Sequence, residues 1–270
     1  MVSVISKPST LISWPSSSNM NQLEAMTIGG AMLGRVRQAL YTFTQVGISP
    51  KEVEFKAREL IKAEGGELSF TKVPGYRWAT CININEGIVH GIPTSEVPFQ
   101  NGDLVTVDVG VFYHGYHTDA AFSKVVGTST PAKDKFLKAG LEGLKNAIDA
   151  VKPGNRIGDI SEAMESTLKK YGYQATRELT GHGVGKELHE EPMISNVVLG
   201  SREKTPTIKV GQTLAIEIIY VEGKPALVLE EDGWTISTKD GTLSAVHEET
   251  VLVTEGGCSI LTVPTLFQIG

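Results

Sequence analysis

The sequence predicts an α+β fold on three observations: amphipathic helical stretches that open on recognisable caps, one strand–turn–strand unit with alternating apolar residues, and two later apolar strand runs that carry acids near their centres.

In chain order, residues 1–21 read as a flexible arm, rich in serine with Pro8 and Pro15 and lacking the positive-then-apolar pattern of a secretion signal. Acids are absent before Glu24, as in a transit peptide, but arginine is absent too. Gln22 to Val46 carries the periodicity of an amphipathic helix. Ser49-Pro50-Lys51-Glu52 opens a second one, with Ser49 as N-cap and Pro50 at the first helical position, where its missing N–H costs nothing. Further helices are expected after Pro131 and after Gly154, broken apart by Pro153-Gly154, and Gly172 ends the second of them.

Between the helix pairs, Gly102 to Phe112 and His117 to Val126 flank Tyr113-His114-Gly115-Tyr116, which predicts a hairpin. A two-residue loop makes paired positions sum to an odd number. Whether that loop is Tyr113-His114 or His114-Gly115, Asp108 lies opposite Asp119 or diagonal to it, and the two carboxylates share one face. Buried together they repel, and a cation is the simplest way to keep both ionised.

Four more segments extend the set. His182 and His189 lie in a glycine-interleaved segment, Thr180 to Pro192, where backbone can crowd a ligand. His182 fits a ligand, and His189 a donor to a carbonyl or an oxyanion. His90, in Asn85 to Pro93, is a third candidate. Glu217 is the lone acid of the apolar run Gln212 to Val221 and needs a partner. In Ser244 to Val253, Glu248 and Glu249 point to opposite faces of a strand, and periodicity alone leaves either one inward.

Four carboxylates and one imidazole, Asp108, Asp119, His182, Glu217 and one of Glu248 and Glu249, suit a pair of divalent cations such as Co, Mn, Fe or Zn, without the thiolates of a structural zinc site. Two such ions roughly 3.5–4 Å apart activate a water near neutral pH, so the set predicts metal-dependent hydrolase chemistry.

The motifs resemble those of the type I methionine aminopeptidases. They run from Cys81 to Glu86 with His90-Gly91-Ile92-Pro93, through Val107-Asp108-Val109, Gly115 to Asp119, Gly181-His182-Gly183 and His189-Glu190-Glu191-Pro192, to Ile216-Glu217, Asp232 to Thr235 and Ser244-Ala245 before Glu248. The similarity spans about residues 20–262 and puts the ligand at Glu248. It implies a pita-bread fold, with two pseudo-symmetric halves around a curved antiparallel sheet, helices on the outer face and one catalytic domain over 22–270. It implies two metal ions on Asp108, Asp119, His182, Glu217 and Glu248. It also implies removal of the initiator methionine from nascent chains with a small second residue, Glu217 moving the proton, His189 contacting the oxyanion and His90 the amide nitrogen. Tyr76, Cys81, Leu188 and Trp234 match positions lining the methionine pocket.

The chain departs from that pattern in places. Ile218 follows Glu217 where proline is usual, Thr118 stands for glycine, Ala120-Ala121 for small hydroxyl residues, Arg77 for proline, and Phe70 and Val73 for other pocket residues. An Xaa-Pro peptidase and a degenerate pita-bread binding protein are the competing readings. The net charge of −6 opposes broad nucleic-acid binding, and no run of 18 apolar residues spans a membrane. Cys81 and Cys258 form no disulfide framework and fit the reducing cytoplasm. A monomer is expected, with nascent polypeptide N-termini as substrates and a transient ribosome contact for which the arm shows no basic cluster. His114, His117 and His247 read as turn or rim residues.

Overall fold

A computed structural model of the chain describes residues 20–263. The arm expected over 1–21 lies, except for Met20 and Asn21, outside the described residues, as do residues 264–270. Asn21 caps helix α1 (Gln22–Phe43), accepting from the Glu24 N–H at 3.0 Å while the Glu24 carboxylate accepts from the Asn21 N–H. The helix ends before Val46 because Thr44 turns extended. Ser49 and Pro50 open α2 (Pro50–Glu64) as the sequence predicts.

The first half continues with β1 (Glu67–Leu68), β2 (Thr80–Ile84), β3 (Gly87–Val89), β4 (Leu104–Tyr113) and β5 (Tyr116–Val125). The second repeats the plan with α3 (Pro131–Ala150), α4 (Ile157–Tyr171), β6 (Gln174–Ala175), β7 (Thr180–Gly183), β8 (Glu190–Ser195), β9 (Thr213–Val221), β10 (Leu227–Leu229), β11 (Ile236–Thr238), β12 (Ser244–Thr254) and β13 (Gly257–Ile260). In one half β4 gives one edge to β5 and shares the other between β1 and β2. In the other half β9 gives one edge to β12 and shares the other between β6 and β7. This is the pita-bread architecture, two antiparallel half-sheets backed by helix pairs. A small sheet of β10, β11 and β3 joins them at one end.

Strand alternation sorts the side chains. Val105, Val107, Val109 and Val111 of β4, with Ala120 and Phe122 of β5, pack against α1 and α2. Leu214, Ile216, Ile218 and Tyr220 of β9, with Ala245, Val251 and Val253 of β12, pack against α3 and α4. Asp108, Asp119, Glu217 and Glu248 occupy the alternate positions, so all four face away from the helices. Glu248 is thereby the inward glutamate, and Glu249 turns outward to an ion pair with Arg37. Ile218, where proline is usual in the family it resembles, sits in the helix-backed core against Gly143, which has no side chain to obstruct it.

Candidate metal centre and adjoining cavity

The hairpin loop is His114-Gly115, whose φ values of +46° and +87° match the twisted two-residue turn that strand pairing favours. Tyr113 therefore pairs with Tyr116, Asp108 with Ala121 and Asp119 with Gly110. The two acids are diagonal neighbours on one face. Glu217 stands directly opposite Glu248 across the β9–β12 ladder. His182 reaches the same place from β7, which lies so near β9 that a Cβ at Gly181 would stand 2.7 Å from the Ala215 carbonyl oxygen.

Ligand atoms of Asp119, His182 and Glu248 all lie within 4.8 Å of one another. Glu217 Oε1 is 3.8 Å from His182 Nε2, and Asp108 borders the group beside Asp119. Asp108 Oδ1, Asp119 Oδ1 and Glu248 Oε1 are buried without a hydrogen-bond partner among the described residues. Burial pushes Asp108 up to about 7, and burial together with the neighbouring acids holds Asp119, Glu217 and Glu248 well above the carboxylate range. Orphaned acid oxygens around a shared point form a donor set that a cation satisfies. His182 is prepared in the same sense: Nδ1 donates to the Gly183 carbonyl at 2.8 Å, so the Nε2 lone pair faces Glu217, and burial holds the ring neutral with its pKa down at about 4.

Next to this set lies a cavity of about 110 Å³, lined by Phe70, Val73, Tyr76, Cys81, His90, Asp108, Asp119, Leu188, His189 and Trp234. Tyr76 stacks edge-on with Trp234 and Trp78, each with ring centroids 5.1 Å away, and its hydroxyl donates to the Thr80 carbonyl at 2.8 Å. Burial raises the Cys81 thiol well above its ordinary pKa, so it is a small apolar wall. His90 and His189 stand at the mouth, where the surrounding protein lowers both imidazoles. His90 is held at a φ of +59°.

Two histidines depart from the sequence-based expectation. His117 and His247 are buried, not rim residues. His117 packs at a tilt against Phe112 and shares a 2.8 Å hydrogen bond with Ser69, while His247 lies behind the sheet beside Tyr220. Sequence reasoning also missed Glu54, whose carboxylate sits under the cavity wall, and Arg37, which meets Glu249 from 212 positions away. Glu54 offered a signal in retrospect, being an acid on the inward stripe of α2 with Val53, Ala57 and Ile61.

A model of metallopeptidase family M24 matches residues 24–255. A methionine aminopeptidase of Aquifex aeolicus is 35% identical over 250 residues, covering 90% of this chain and 97% of that relative. The crystal structure of a methionine aminopeptidase from Thermotoga maritima superposes with a TM-score of 0.87 at 36% identity, covering 92% of this chain and 99% of that one. A prolidase from Pyrococcus furiosus gives 0.69 at 25% identity, covering 89% of this chain and 63% of that one. With these matches spanning nearly its whole described length, the chain belongs to metallopeptidase family M24, in its methionine aminopeptidase branch.

Proposed function

We propose that this chain hydrolyses N-terminal methionine from polypeptides with a small second residue, using two divalent ions, Co, Mn, Fe or Zn, held by Asp108, Asp119, His182, Glu217 and Glu248. The observation that carries this is the contact between the orphaned acid oxygens and a cavity sized for one side chain, far below the roughly 300–1,000 Å³ of drug-sized sites. When bound, the ions supply Lewis acidity that activates water and polarises the scissile carbonyl. The aromatic and thiol wall of Tyr76, Cys81, Leu188 and Trp234 takes an unbranched, polarisable thioether. Glu217, buried beside His182 and the other acids, moves the proton from water to the leaving amine. His189, neutral at working pH, donates to the oxyanion, and His90 meets the amide nitrogen across the mouth.

Nascent chain ends are the natural substrates, met by a monomer in transient contact with the ribosome. The free thiols of Cys81 and Cys258 fit the cytoplasm. No helix among the described residues is long and apolar enough to cross a membrane.

The test offers purified protein, loaded with Mn or Co, the peptides Met-Gly-Met and Ala-Pro, with chelator and Asp119→Asn as controls. Methionine release abolished by both controls is the expected result. Cleavage of Ala-Pro alone would move the assignment to an Xaa-Pro peptidase, and metal uptake without cleavage of either peptide to a binding protein.

A further inference from the structure

We propose that Arg37 is a positioning residue of the metal centre, clamping α1 of the first half to the strand of the second half that carries Glu248. The inference rests on the metal-binding reading of the acid cluster. Arg37 Nη1 donates to the Glu248 carbonyl oxygen at 3.0 Å. Its Nη2 donates to Glu249 Oε1 at 2.7 Å and to the Thr262 carbonyl oxygen at 3.2 Å. Three acceptors in fixed directions suit a planar guanidinium and not an ammonium.

The clamp continues toward the site. The Glu249 carboxylate accepts from the Thr262 hydroxyl, which accepts from the Thr250 N–H at 3.1 Å. Arg37 and Glu249 have side chains 15% and 14% exposed, so the pair is shielded from much of the screening that weakens surface pairs. Packing does little of this work locally. Arg37, Tyr41, Phe122, His247 and Glu249 border a second cavity of about 190 Å³ on the helix side of the sheet, so bonds rather than filled volume hold the two halves together here.

The five acid and imidazole groups come from both halves, Asp108 and Asp119 from one, His182, Glu217 and Glu248 from the other. Their spacing depends on how the halves are held. Arg37 grips the main chain of Glu248 itself, so its loss frees the strand to tilt that carboxylate relative to Asp119.

The test titrates Co(II) into metal-free wild-type, Arg37→Lys, Arg37→Met and Glu249→Gln proteins, following the visible band, with metal-free melting measured beside it. Arg37→Met should lower Co(II) affinity about 10- to 100-fold and alter the band, the scale for partners that orient ligands. Arg37→Lys and Glu249→Gln should fall between, and both retain enough contacts to fold if Arg37→Met does not. Unchanged affinity and band in these two variants, or in a folded Arg37→Met with only its melting lowered, would overturn the proposal. A wild-type protein that takes up no Co(II) would instead overturn the metal-binding reading beneath it.

Discussion

The Thr250 hydroxyl accepts from the Asp119 N–H at 2.9 Å and donates to the Asp119 carbonyl at 2.8 Å. One side chain thus does for Asp119 what a neighbouring strand would do. It must, because β5 and β12 lie side by side yet belong to separate ladders among the described residues. Ser123 repeats the device four residues on, donating to the Val246 carbonyl at 2.8 Å and accepting from its N–H at 3.0 Å. The seam between the halves is stitched by two hydroxyls, and one stitch is at a candidate metal ligand. Ala120 and Ala121 offer no hydroxyl, and Asp119 Oδ1 is unpartnered, so Thr250 steadies the main chain while the carboxylate stays free.

Thr250→Val keeps the shape and removes both bonds. The stranded N–H and C=O should cost about 2–4 kcal/mol in chemical denaturation, and Thr250→Ser should recover most of it. Equal stability of the valine and serine variants would show that the stitch contributes nothing.

Much of the site was legible because strand period is rigid: once Gly102 to Phe112 is a strand, Asp108 must oppose its valines, and the odd-sum rule puts Asp119 on the same face in either register. The choice of loop was not legible, since it turns on which residues take positive φ. His114 and Gly115 do so, leaving Tyr113 in the strand. The side of Glu248 was equally hidden from periodicity, because both faces of β12 carry apolar residues. The resemblance puts the ligand at Glu248; in the structure that side chain faces the other acids, while Glu249 turns outward to pair with Arg37. His117 and His247 were misjudged because a strand histidine is buried or exposed according to what packs on it, here Ser69 with Phe112 and Tyr220, all distant or across a turn.

Metal removal should matter more as pH rises. A carboxyl with a raised folded pKa supports the metal-free fold fully below its unfolded value, and that support is lost as pH climbs through the folded value, about 7 for Asp108, with the other three acids raised in the same direction. Burial moves the histidines the other way, His117 and His182 to about 4 and His247 to about 3, so their support is present above 6.5 and lost as pH falls. Above 6.5 the carboxyls set the slope. Melting of chelated protein should fall as pH rises from 6.5 through about 7 while the metal-loaded form holds, widening the gap. A gap that stays constant or narrows would count against ionised acids as the ligands.

His189 should be separable from metal binding. Its ring stands against that of His182 with centroids 4.5 Å apart, yet it is the cavity mouth, not the acid cluster, that it lines. His189→Ala is expected to lower kcat about 100- to 1,000-fold, the usual loss for one oxyanion donor, with Co(II) affinity unchanged. Loss of Co(II) binding in that variant would reassign His189 to the metal set.

Glu54 offers a test of the cavity wall from behind. Its carboxylate, on α2, accepts from the N–H groups of Ala79 and Thr80 at 2.8 and 3.0 Å and from the Thr80 hydroxyl at 2.7 Å. Arg58 donates to it at 2.6 Å and also to the Arg77 carbonyl at 2.7 Å. The strip from Tyr76 to Cys81, which supplies two wall residues, is thereby tied to a helix that never touches the acid cluster. Glu54→Gln sets an amide N–H against this crowd of donors and should loosen the strip. If the wall holds the substrate side chain as proposed, it does so equally before and during reaction, and KM should rise about tenfold, equivalent to 1.4 kcal/mol, with kcat within about twofold. A fall in kcat at constant KM would mean that the disturbance reaches Asp108, paired with Cys81 across the β2–β4 ladder, and that wall and metal centre are one mechanical unit.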